Sequence, residues 1–265
     1  MNDDVDLSIR QICGAWQVMC AVIPGCTVAT GAGIEYIFSG LPLVLFNVAV
    51  VTQRDVSEEA LKSYGREACA WAAPREVPWQ FIVTHETLEP GVDAVAALDD
   101  CGLTPMMSLT GMRTQQVAPI TSVPAGLDLR VPEDDAGCGA IFDINGAAYG
   151  MDLEAGRETL GVRSFWKDHF PVLGLVDGKP VSSAAVMMVD GHRYVGMVAT
   201  DADHRRRGYA DAVMRRALEI SAQAHGEQPT VLHASDAGRP VYERMGYTTI
   251  ATHTIFVEKK FLGDH

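Results

Sequence analysis

Arg205-Arg206-Arg207-Gly208-Tyr209-Ala210 is a basic, glycine-containing stretch set between two runs of different pattern. Before it stands Tyr194-Val195-Gly196-Met197-Val198-Ala199-Thr200, an apolar run of strand type. After it, apolar residues fall at Ala210, Val213, Met214, Ala217 and Leu218, and this spacing predicts a helix from Ala210 to Ala224. A strand, a basic glycine turn and a helix start together suit a polyphosphate. The first N–H groups of a helix have no intrahelical partner, and the helix dipole adds positive potential there. Gly208 lets a ligand approach the backbone with no Cβ in the way. Three arginines oppose the dipole, so a plain surface turn gains nothing from them.

Composition bounds the rest. A chain of 265 residues, 48% hydrophobic and 21% charged, has ample material for one large or two ordinary domains. Its formal net charge of −13 argues against nucleic acid or an anionic membrane as partner. The acidic start Met1-Asn2-Asp3-Asp4 is not a signal peptide, and no apolar run reaches the ~20 residues that span a bilayer. A cytoplasmic location is expected. Cys13, Cys20, Cys26, Cys69, Cys101 and Cys138 form no C-x-x-C pair and read as mostly reduced, buried small apolar residues. Gly31-Ala32-Gly33 lacks the third glycine of a dinucleotide fingerprint, and His85-Glu86 lacks the second histidine of a zinc helix. No metal is expected.

Element signals run in the same order twice. The first half predicts a helix over Leu7–Ala21, strands at 34–38 and 43–51, and a helix over 58–73 capped by Asp55 or Ser57. A strand at 79–84, a short helix at 92–100 and a strand at 106–112 complete it. Pro119, Pro124 and Pro132 mark a connector, in which 127–130 could also open the second half. One helical region over 134–168 follows. Strands at 172–176, 181–189 and 194–200 come next, joined by Asp177-Gly178 and Asp190-Gly191 hairpin turns. The arginine turn and its helix, a strand at 230–234, a short helix from Pro240 and a strand at 250–259 end the chain.

The second half resembles the GNAT family of Gcn5-related N-acetyltransferases. The family's acyl-CoA motif is Arg or Gln, two residues, Gly, one residue, then Gly or Ala; here it reads Arg205, Arg206-Arg207, Gly208, Tyr209, Ala210. Its later motif, a short helix with Tyr followed by Gly and an aromatic, is matched by Ala237 to Tyr247 with Tyr242 inside. The match covers about residues 130–262. The resemblance implies an α/β (α+β) fold with a mixed, mostly antiparallel sheet flanked by helices, in two tandem GNAT-like domains. Residues 1–118 would be a degenerate copy, because Thr52 to Ser57 stands at the equivalent turn with no glycine. Residues 119–129 would be the linker and 130–265 the catalytic domain.

The resemblance also implies roles. Acetyl-CoA would be held by Met197, Val198 and Ala199, by the turn Arg205, Arg206, Arg207, Gly208, Tyr209 and Ala210, and by Arg239. The Val198 N–H would polarise the thioester carbonyl, and Tyr242 would protonate the departing thiolate. Packing on one helix face with Val241 and Met245 is the other reading of Tyr242. The strand has none of the family's glutamates, so the base is open among His233, Asp201 and His204, while Ser235 would position a water or the thiol. The acceptor implied is a primary amine of a small or amino-acid-like molecule, attacked directly in a ternary complex. Transfer of another acyl group, O-acetylation and a non-catalytic acyl-CoA-binding regulatory module stay open, as does assembly into a homodimer.

Overall fold

The computed structural model describes residues 2–119 and 124–261. Expectations that fall on residues 1, 120–123 and 262–265 lie outside the described residues. The fold is mixed α/β, with mostly antiparallel strands and flanking helices, in two compact units. One comprises residues 1–112, 234–239 and 249–265; the other comprises 113–233 and 240–248.

The first unit starts with helix α1 (Asn2–Cys20) and strands β1 (Thr27–Thr30), β2 (Ile34–Phe38) and β3 (Asn47–Val51). Helix α2 (Glu58–Ala72), strand β4 (Gln80–Thr84), helix α3 (Ala94–Asp99) and strand β5 (Leu103–Thr114) follow. All five residues of β3 and of β4 are buried, as expected of a parallel pair covered on both faces. Leu61, Gly65, Ala68 and Ala72 form the buried stripe of α2. Ser57 caps that helix by accepting the Ala60 N–H, and Glu58 and Glu59 occupy its first turn. β1 was not expected; it is four residues long and largely exposed, too short to show a strand pattern. The last strand of the chain, counted below as β11 (Thr248–Glu258), lies antiparallel to β4 and puts Phe256 into the core with Phe81 and Trp79.

The second unit holds strand β6 (Leu127–Arg130), helices α4 (Asp135–Tyr149), α5 (Leu153–Leu160) and α6 (Arg163–Trp166), and strands β7 (Phe170–Val176), β8 (Lys179–Val189) and β9 (His192–Thr200). Helix α7 (Tyr209–His225), strand β10 (Thr230–Ala234) and helix α8 (Arg239–Arg244) complete it, apart from the edge residues noted above. The single helical region expected over 134–168 is three helices. Gly150, at φ +66°, ends α4, and Asp152 starts α5 by accepting two N–H groups. Both Asp-Gly turns are left-handed at each residue, as a two-residue hairpin requires. β6 to β9 pair antiparallel in sequence order, and β9 pairs parallel with β10 across α7. The first unit shows the same succession: β1 to β3 antiparallel, then β3 parallel to β4 across α2.

Candidate active site

The arginine turn is built from the backbone. β9 ends at Thr200, and Asp201 caps a short turn by accepting the Asp203 N–H at 3.0 Å. The His204 ring beside Asp201, 3.0 Å away, holds that carboxyl below the usual carboxylate range. Arg206 then takes φ +62° and Gly208 φ +81°. Two left-handed residues in one turn redirect its backbone, and N–H groups presented by such a turn can form an anion-binding concavity. Gly208 is the N-cap of α7 and offers that helix no side-chain cap. This is the reverse of α2, whose Ser57 satisfies its own helix start. Arg205, Arg206, Arg207 and Gly208 are exposed, while Tyr209 is buried and offers its backbone alone. The Arg205 Nε donates to the Thr200 carbonyl, and the Arg207 Nη2 donates to that of Asp203, so both side chains stiffen the turn.

β9 is broken where the ligand strand would pair. Ala185 faces Gly196 and Ser183 faces Ala199, so Met197 and Val198 stand opposite Ala184 alone. This is a β-bulge. Met197 sits at φ +51°, an uncommon conformation for a side chain of its size and one that persists only when its surroundings impose it. On the other edge, pairing of β9 with β10 runs from Arg193 to Val195, opposite Thr230 to Leu232. Met197, Val198 and Ala199 lie beyond the last pair.

Tyr242 is 9% exposed, with its ring edge-on to Tyr247 at 6.1 Å. Burial, then the neighbouring Tyr149 and Tyr247 hydroxyls, raises its pKa above the ordinary tyrosine value. The group therefore carries its proton through the neutral range. Met245 is buried like Tyr242, and Val241 is half-buried, so the ring also packs on this helix face.

His233 has its Nδ1 3.1 Å from the Tyr194 hydroxyl. Burial raises the Tyr194 pKa too, so that hydroxyl stays protonated. Ser235 and Arg239 lie in the segment that packs with the first compact unit. The Ser235 carbonyl accepts the N–H groups of Gly238 and Arg239, both at 3.0 Å, which makes it the start of a helical turn. Among the described residues no group of three His, Cys, Asp or Glu is placed to hold a metal ion. Nor is any described helix long and apolar enough to cross a membrane.

Four residues that sequence reasoning missed shape this region. Asn145 and Ser183, both fully buried, bond the Met197 carbonyl at 3.3 and 3.1 Å. The Tyr149 hydroxyl donates to the Val198 carbonyl at 3.2 Å, and Tyr194 holds His233. A signal for Asn145 existed. Cys138, Ile141, Phe142 and Asn145 follow helical spacing, so an asparagine sits on an otherwise apolar buried stripe. Ser183 likewise interrupts an apolar strand.

Residues 142–250 match the family model described as the acetyltransferase (GNAT) domain. A solved GCN5-related N-acetyltransferase from Kribbella flavida is 20% identical, with 95% of this chain and 96% of that one covered at a TM-score of 0.68. Another from Sphaerobacter thermophilus is 16% identical, covering 85% and 76% at 0.60. A tandem GNAT protein from the clavulanic acid biosynthesis pathway is 13% identical, covering 99% and 97% at 0.54. At these identities the likeness is one of fold, and the last supports a two-domain arrangement. No curated protein matches the chain.

Proposed function

From the premise that the chain carries a GNAT acetyltransferase domain over residues 142–250, we propose that it is an acyl-CoA-dependent N-acyltransferase. It moves acetyl from acetyl-CoA to a primary amine of a small or amino-acid-like molecule. The observation that carries this reading is the conjunction, on one strand–turn–helix, of a bulged strand edge and an uncapped anion-binding turn. The turn from Arg205 to Ala210 takes the pyrophosphate on its N–H groups, with Arg206 and Gly208 setting their direction. The edge at Met197, Val198 and Ala199, beyond the last β10 pair, takes the amide-bearing pantetheine arm as an added strand.

The chemistry then follows in balance. The acceptor nitrogen, as the neutral amine, attacks the thioester carbon, and a C–N bond forms. The carbonyl oxygen gains negative charge, which the Val198 N–H stabilises. The C–S bond breaks, and the thiolate takes the Tyr242 proton, which burial has kept in place. The amine sheds its proton to water or to His233, whose ring Tyr194 orients. Ser235 shapes the turn that leads into α8, and Arg239 begins that helix. The first unit, whose helix start is capped by Ser57 and lined by Glu58 and Glu59, takes no CoA. Cytoplasmic residence is part of the same proposal.

Acetyl-CoA or CoA raises the melting temperature, because a ligand selective for the folded state stabilises it by mass action. Gly208→Val removes that rise. A β-branched residue at φ +81° is strained, and its Cβ meets the Pro124 ring at 3.4 Å. Calorimetric titration that finds wild-type CoA affinity in Gly208→Val would overturn the assignment.

A further inference from the structure

The Val198 N–H belongs to the same peptide plane as the Met197 carbonyl. In a trans peptide the two point in opposite directions. Whatever fixes the Met197 oxygen on the inner side of β9 therefore aims the Val198 hydrogen to the outer side. Two fully buried side chains do this. Asn145 on α4 reaches the oxygen through Nδ2 at 3.3 Å, and Ser183 on β8 donates to it from Oγ at 3.1 Å. The two are themselves linked, since Asn145 Nδ2 donates to Ser183 Oγ at 2.9 Å. The result is a chain from amide to hydroxyl to carbonyl. Such chains polarise their members, and a carbonyl that accepts two bonds makes its own peptide N–H a stronger donor.

A comparison within the molecule separates this asparagine from a merely structural one. Asn47, also fully buried, spends its whole amide on backbone and a serine. Its Nδ2 donates to the carbonyls of Leu41, Leu43 and Pro78, while its Oδ1 accepts from Ser39 and Gly40. Asn145 donates to Ile141, Ser183 and Met197, but its buried Oδ1 has no partner among the described residues. A buried unpaired oxygen costs stability. An apolar residue would fill the stripe beside Ile141 and Phe142 without that cost. What only the amide supplies is a donor that bonds its own helix at Ile141 and still reaches Ser183 and the Met197 carbonyl at the bulge.

We propose that Asn145 and Ser183 are positioning residues for the oxyanion donor: together they hold the strained Met197–Val198 peptide with its N–H turned to the thioester and polarise it. The inference rests on the acyl-CoA reading above. Neither residue touches the substrate, so their loss affects the carbonyl rather than CoA affinity.

The test uses the full chain and acetyl-CoA carrying ¹³C at the thioester carbonyl, with no acceptor required. Isotope-edited infrared spectra compare the carbonyl band free and bound. In the wild type the band moves to lower wavenumber on binding. In Asn145→Leu and in Ser183→Ala it moves back toward the free value, while calorimetric acetyl-CoA affinity stays within about threefold. Ser183→Ala removes a single oxygen and keeps the test alive should Asn145→Leu not fold. With an acceptor in hand, turnover falls roughly 10-fold or more in each variant at unchanged KM for acetyl-CoA. A bound band that stays at the wild-type position in both variants overturns the inference and leaves the acyl-CoA reading standing. Absence of acetyl-CoA binding to the wild type overturns that reading and the inference with it.

Discussion

Tyr242→Phe lowers turnover by roughly 10²-fold or more at saturating donor and acceptor, within the range for a lost general acid. The ring and its edge contact with Tyr247 at 6.1 Å remain, so the melting temperature and acetyl-CoA affinity move little. Burial and the Tyr149 and Tyr247 hydroxyls hold the Tyr242 pKa above the ordinary value. The tyrosine therefore stays protonated throughout the neutral and mildly alkaline range, and the deficit is nearly constant from pH 6 to 9. The acid limb of the profile reports the acceptor amine instead, whose neutral form attacks. Stopped assays over that range, with amine release of CoA as readout, check the prediction. Turnover at the wild-type level would reduce Tyr242 to a packing residue.

His253→Leu destabilises the first compact unit by about 2–5 kcal/mol at pH 7.5, and it flattens the acid side of its stability profile. His253 is fully buried between Ser8 Oγ, 2.9 Å from Nε2, and Thr84 Oγ1, 3.0 Å from Nδ1. Leucine offers neither hydroxyl a partner. Desolvation pushes the His253 pKa down to about 4, with Glu86 opposing the shift and His85 adding to it. The sign follows from proton binding. Above pH ~6.5 neither folded nor unfolded state protonates the ring. Between about 6.5 and about 4 the unfolded chain binds a proton that the native chain refuses, so stability falls with pH. About 3 kcal/mol is lost across that window, at 1.36 kcal/mol per unit. His169, buried in the second unit with a lowered pKa, acts in the same direction and keeps part of the slope in the variant. Urea titrations at pH 7.5 and 4.5, read at β4 and β11 amides by hydrogen exchange, separate the two. An unchanged slope in the variant would exclude His253 as the source.

Much of the fold was legible because its punctuation is local. The Asp-Gly pairs at 177–178 and 190–191, the Ser57 cap and the Gly208 turn are each set by residues beside them, and the structure places hairpins and helix starts there. The division of 134–168 into three helices was also signalled, by Gly150 and Asp152, but the apolar periodicity on either side outweighed it. The bulge was not legible. Nothing in Gly196-Met197-Val198 announces a methionine at φ +51°, because what holds it there is Asn145 and Ser183, 52 and 14 residues away in sequence. Long-range side-chain bonds of this kind leave no periodic trace. The turn, the Tyr242 helix and the strand between could be found from sequence; the devices that aim them could not.

β11 completes the first unit's sheet against β4, yet it is made last. While a ribosome is still translating, Phe81, Ile82 and Val83 present an open strand edge, and their partners Thr254, Ile255 and Phe256 lie roughly 170 residues downstream. At about 5–20 residues per second that gap lasts on the order of ten to thirty seconds. The half that emerges first is thus the half that finishes folding late, and until then it stands as a sheet with one strand missing.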